Sequence, residues 1–218
     1  MALLHKLKDY GFRRREQSFT DTDYLVMASF FPEAEPRTPP EVLERTGFSY
    51  ETVHSILNKL SEGGALDKKM VGRTQQFTLN THTTQAFMAY MLYQSYKQID
   101  FMERQKPIGL MLKRLADKTK PLLLMVYGSY AKFEQRKDSD IDLIIVDGKF
   151  RHESQKLPDH KIEVGAMESQ YGLRIHPIVF EYMDFLHVAK HNPSLWNSLK
   201  TEGIAYEGWN EAFNAFYT

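Results

Sequence analysis

A chain of 218 residues with 28 basic and 28 acidic side chains has zero formal net charge, so any contact with nucleic acid has to come from a local basic patch rather than a global field. It contains no cysteine, which excludes disulfides and thiolate metal sites. No apolar run is long enough to span a bilayer, and Met1 to Arg15 lacks the continuous apolar segment of a signal peptide; the expectation is a cytoplasmic protein without a membrane partner.

The first predicted helix, Asp21 to Phe31, carries Leu25, Val26, Ala28 and Phe30 at helical spacing and stops at Pro32. Thr38-Pro39-Pro40-Glu41 has the residues of a capping box, and the helix it starts ends at Gly47. Ser49 caps the next helix, whose buried stripe is Val53, Ile56, Leu57 and Leu60. Ala65 to Val71 and Gln75 to Leu79 are strand-like and joined around Gly72-Arg73. This order resembles the winged helix-turn-helix domains of prokaryotic transcription regulators. The resemblance implies double-stranded DNA as a partner, read by Thr52, Ser55 and Lys59 on the helix after Ser49 and by Lys68, Lys69 and Arg73 on the wing. Arg13-Arg14-Arg15 adds either a phosphate contact or a solvated surface run. Winged helices also serve as dimerisation or protein-binding modules, and acidic and basic residues balance up to Asn80.

Thr81 to Lys106 is a long helical segment rich in aromatic residues, and Ile108 to Lys118 resumes a helix after Pro107. Its apolar surface suits a homodimer seam or packing against the chain's own second domain. Leu122 to Val126 then forms an apolar strand that runs into Gly128-Ser129. After ten intervening residues, Asp140 and Asp142 open a second apolar strand, Ile141 to Val146. Side chains alternate along a strand, so the two carboxylates project from one face. Such a pair gives a divalent cation hard oxygen ligands and leaves coordination sites for phosphates and water. A polar loop, Gly148 to Leu157, a helix from Asp159 to Tyr171, a strand from Leu173 to Phe180, a helix from Tyr182 to His191, and a final helix and turn from Asn192 to Gly208 complete the reading.

Gly128, Ser129, Asp140, Ile141, Asp142 and Leu143 carry a pattern that resembles the nucleotidyltransferase superfamily of DNA polymerase β and the minimal nucleotidyltransferases. The fold implied is α+β: a winged-helix domain over 1–80, a helical connector or dimerisation segment over 81–120, and a nucleotidyltransferase-like α/β domain with a small mixed sheet over 121–218. The resemblance implies Mg2+ (or Mn2+) and a nucleoside triphosphate at Asp140 and Asp142, with Gly128 and Ser129 on the phosphates. It also implies attack by an acceptor hydroxyl on the α-phosphorus. Minimal nucleotidyltransferases often partner HEPN-type RNase toxins, so such a toxin joins the homodimer as an implied protein partner. Active members use a third carboxylate on a later strand. Here that strand reads Leu173-Arg174-Ile175-His176-Pro177, with no acid; Glu163 and Glu181 are the nearby candidates to replace it. Two readings follow: a nucleotidyltransferase carrying a DNA- or partner-binding winged helix, or a winged-helix regulator whose second domain is a catalytically weak nucleotide sensor or dimerisation module.

Overall fold

Side-chain caps set where the N-terminal helices begin. The computed structural model describes residues 19–148 and 160–218, so the Arg13-Arg14-Arg15 run and all of the Gly148 to Leu157 loop except Gly148 lie outside the described residues. Two compact units divide the chain: one runs to Phe30 and resumes over Glu35–Asn80, the other takes Phe31–Ala34 and Thr81–Thr218.

In the first unit, helix α1 spans Asp21–Ala28, α2 Pro39–Thr46 and α3 Tyr50–Glu62. Thr20 and Asp23 form a capping box at α1. At α2 the Glu41 carboxylate accepts from the Thr38 amide at 2.6 Å and the Thr38 hydroxyl at 2.7 Å, which holds the Glu41 carboxyl below its ordinary range. Gly47 ends α2 at φ +69°, the left-handed conformation that such a C-cap requires. Strands β1 (Leu66–Val71) and β2 (Thr74–Leu79) pair antiparallel, and Arg37 adds a bridge to Phe77. Val26, Met27, Val42, Val53, Leu57, Leu60 and Phe77 are fully buried and close this core. Asp23 is buried too. Burial pushes its carboxyl up, but Lys59 Nζ at 2.6 Å and the Thr20 amide and hydroxyl outweigh that, leaving it below the ordinary value.

The second unit starts with α4 (Thr84–Arg104) and α5 (Lys106–Thr119), then β3 (Leu123–Tyr127), a single turn α6 (Gly128–Ala131), and β4 (Ile141–Asp147). It continues with α7 (His160–Tyr171), β5 (Ile175–Glu181), α8 (Tyr182–His191), α9 (Pro193–Thr201), β6 (Ile204–Glu207) and α10 (Trp209–Tyr217). The sheet order is β5-β4-β3-β6, with β4–β5 parallel and the other two pairs antiparallel. Leu124, Val126, Ile141, Leu143 and Ile145 join Met111, Leu112 and Leu115 of α5 and Val164 and Met167 of α7 in one core. Alternation sends Met125, Ile144 and Val146 to the other face, where α8 packs on β4 and β5 and α9 and α10 pack on β3.

The final helix and turn expected over Asn192 to Gly208 is instead a helix and a fourth strand, and a further helix follows it. Strand β6 is an edge, and α4 takes the backbone groups of its Ala205. Gln94 Oε1 accepts from the Ala205 amide at 3.2 Å, and the Gln98 amide donates to the Ala205 carbonyl. Between these two residues, Lys97 Nζ donates to the carbonyls of Glu202 at 2.9 Å and Gly203 at 2.8 Å. Burial lowers the Lys97 ammonium to about 8, against the pull of the Glu202 charge. Its folded pKa lies below the ordinary 10.5, so the folded chain releases this proton first and stability rises with pH between about 8 and 10.5. The expected result is that the urea midpoint of the parent climbs relative to that of Lys97→Met on going from pH 7.5 to pH 9. Parallel midpoints for the two proteins would contradict this assignment.

Candidate functional site

Strand β3 and the turn after it bring glycine and carboxylate together. Tyr127 is the cross-strand partner of Asp142, and Gly128 follows at φ +71°. A Cβ at Gly128 would lie 2.5 Å from Asp142 Oδ2, so a larger residue would push this carboxylate aside, and the positive φ adds backbone strain. Tyr127 registers the same neighbour: burial raises its phenol first, and the Asp142 charge adds to the shift. Ser129 is half-buried, its carbonyl accepts from the Glu134 amide at 2.9 Å, and among the described residues its hydroxyl has no partner. The corner is anchored from beneath by Tyr130 and Ala131, both buried in the α5–α7 core.

Asp140 immediately precedes β4, and Asp142 is its second residue. Ile141, between them, is fully buried in the α5–α7 core, so the carboxylates belong to the opposite side of the sheet. The parallel partner of Asp142 is His176, and the His176 Nδ1 to Asp142 Oδ1 distance is 3.3 Å. Thus an imidazole occupies the register position where a third carboxylate would complete the acidic set. Neither alternative acid takes its place. Glu163 is engaged by Lys118 Nζ at 2.8 Å, and Glu181 pairs with Asp147 at the far end of β5, roughly 16 Å along the strand. Pro177 costs no ladder bond on its outer side because β5 is an edge strand.

Two carboxylates on one strand suit one hard cation that also keeps phosphate and water oxygens, as Mg2+ does. They do not suit two. Among the described residues, no three His, Cys, Asp or Glu side chains form a metal-holding group. Sequence reasoning assigned no role to Arg174, yet its Nε lies 2.9 Å from Asp140 Oδ1. The only signal was its place two residues before His176, where strand alternation puts both on one face. Lys132 is drawn toward Glu134 at 3.6 Å and Glu202 at 3.7 Å.

A cavity of about 720 Å³ lies at the other end of the sheet, between Leu122, Gly148, Tyr182, Met183, Glu207 and Glu211. Gly148 and Tyr182 follow, and Glu207 forms, the strand ends farthest from Asp142, so this cavity is no part of the carboxylate corner.

In the first unit, Thr52 and Ser55 are exposed on α3, and the Thr52 hydroxyl sits 3.0 Å from the capping Ser49 Oγ. Lys59 is held by Asp23, and Lys68 donates to Asn58 Oδ1 at 2.7 Å with its ammonium 5.6 Å from the Phe77 ring centre. Lys69 and Arg73 are exposed and make no ion pair among the described residues.

Residues 111–204 match the family model described as polymerase beta, nucleotidyltransferase. That span runs from α5 to the first residue of β6 and contains the carboxylate corner. No curated protein matches the chain. A solved structure of TrmBL2, an archaeal chromatin protein described with a novel mode of DNA binding, matches at 11% identity and a TM-score of 0.24, covering 83% of this chain and 71% of that chain.

Proposed function

We propose that the second unit binds a nucleoside triphosphate with Mg2+ at the corner formed by Gly128, Ser129, Asp140 and Asp142. Transfer of its nucleotidyl group to an acceptor hydroxyl is slow. The observation that carries this reading is the juxtaposition of Gly128 and Asp142, where a single methyl group would collide with a carboxylate oxygen. Asp140 and Asp142 hold the cation, which supplies charge neutralisation of the polyphosphate. The Gly128 turn lets backbone approach the phosphates, and the Ser129 hydroxyl is available to bind them. The imidazole opposite Asp142 removes a negative charge from the site, which favours binding over rapid transfer. Calorimetry of the intact chain with Mg2+ and each nucleoside triphosphate tests this. Heat of binding in the micromolar to millimolar range supports it, and silence at millimolar nucleotide rejects it.

The first unit, on this reading, is a winged helix that binds duplex DNA. Support comes from its helix order, from the bridge that ties Arg37 to β2, and from the exposed cations of the β1–β2 hairpin. The contacts would be mostly to phosphate, so affinity falls steeply with salt. Replacing Lys68, Lys69 and Arg73 together with alanine is expected to reduce the slope of log affinity against log salt by about 2 to 3. Fluorescence anisotropy on a genomic duplex at several salt concentrations measures it. An unchanged slope would remove the hairpin from the interface. Tyr96 and Ile99, three residues apart on α4 and both more than half exposed, support a second copy of the chain as a protein partner.

A further inference from the structure

Strand β5 faces the carboxylates with its own polar pair. Arg174 and His176 flank the buried Ile175 just as Asp140 and Asp142 flank the buried Ile141, and the two isoleucines are register partners. The backbone at this point is fixed twice: the Ile141 amide donates to the Arg174 carbonyl at 2.9 Å, and Glu168 Oε1 accepts from the Ile175 amide at 2.8 Å. The Arg174 side chain then holds the segment before β4 at two places. Its Nε pairs with Asp140, and its Nη2 donates to the Asp138 carbonyl. Asp140 and Asp142 contribute two negative charges and Arg174 returns one, leaving a net charge of minus one, where a third carboxylate beside the same arginine would leave minus two.

That balance suits a single divalent cation. A site at minus one has little hold on a second dication, whereas a guanidinium is always charged and its planar donors match phosphate oxygens. Resting on the nucleotide-binding reading above, we infer that Arg174 is a built-in cation of this site. The corner takes up one divalent ion with the triphosphate, and Arg174 supplies the remaining positive charge to the phosphates. In the absence of nucleotide the same residue competes with metal for Asp140.

Mn2+ binding to the intact chain, followed by electron paramagnetic resonance, separates the two claims. With Mn2+ alone, Arg174→Gln is expected to bind the ion about tenfold more tightly than the parent, because a charge beside Asp140 is gone. Arg174→Lys, which keeps the charge, should stay near the parent. With α,β-methylene ATP added, the parent should bind one Mn2+ per chain, and Arg174→Gln should bind the analogue about tenfold more weakly in spite of its tighter hold on metal. Equal Mn2+ affinities for parent and Arg174→Gln would overturn the competition for Asp140. Two Mn2+ per bound analogue in the parent would overturn the built-in cation while leaving nucleotide binding intact. No binding of the analogue by the parent would instead sink the nucleotide reading and the phosphate role of Arg174 together, with the competition still judged by the metal-only titration. Arg174 is two-thirds exposed, so both variants should retain the parent's circular dichroism.

Discussion

Changing both Asp140 and Asp142 to asparagine is expected to weaken Mg–nucleotide binding at least about a hundredfold, as read by calorimetry. Asparagine keeps the shape of each side chain and removes the charge, and a hard cation loses far more from that than the fold does. Asp140 is nearly half exposed, and Asp142 keeps its cross-strand neighbours, so stability should change little. The single variants will not sum to the double, because both side chains serve one ion. Incubation with nucleotides labelled at the α-phosphate extends the test to chemistry. The parent should transfer label slowly, and Asp140→Asn should abolish what transfer there is. Fast transfer that depends on Asp140 yet ignores changes at His176, Glu163 and Glu181 would overturn the view that the absent third acid limits the rate.

The largest loss of stability is expected at a position with no chemical role. Gly208 sits at φ +77° between β6 and α10, and a Cβ there would lie 2.0 Å from the Leu122 carbonyl oxygen and 2.8 Å from the Leu123 Cα. Both atoms are backbone at the start of β3, which cannot step aside without shearing the sheet. The left-handed conformation and the overlap act together, and Gly208→Ala should cost about 3 kcal/mol or more in urea unfolding. Gly172→Ala is the control within the same unit: its φ is +65°, but nothing lies within 4 Å of the added carbon. It should cost about 1 kcal/mol, from the backbone alone. Equal losses at the two positions would show that the Leu122 overlap is relieved by small movements.

The carboxylate corner was legible because its signals are local. A strand that ends in glycine and serine, followed by aspartates at strand spacing, places Gly128 beside Asp142 once β3 and β4 pair. The caps at Thr38 and Ser49 were legible for the same reason, since each is fixed by residues three positions apart. Strand β6 was not. Four residues are too few for alternation to register, and its partners on β3 and α4 lie about eighty residues and more away in sequence. Arg174 escaped notice because an arginine before a strand has no meaning until the register sets it beside Asp140. The place of Glu181 likewise depended on register: only the parallel pairing of β4 with β5 shows it at the wrong end of the strand.

The four residues Phe31–Ala34 belong to the second unit although the chain on either side of them belongs to the first. The Phe31 ring lies 5.0 Å from that of Tyr217 and 5.3 Å from that of Tyr90, and the Tyr217 hydroxyl donates to the Pro32 carbonyl at 2.8 Å. Dissection at the obvious seam after Asn80 would therefore harm both pieces. The N-terminal fragment would carry a bare phenylalanine on a loop, and the C-terminal fragment would have a phenyl-sized hole among its aromatic rings. A gene fragment meant to isolate either half has to supply that loop in trans or fill the hole it leaves.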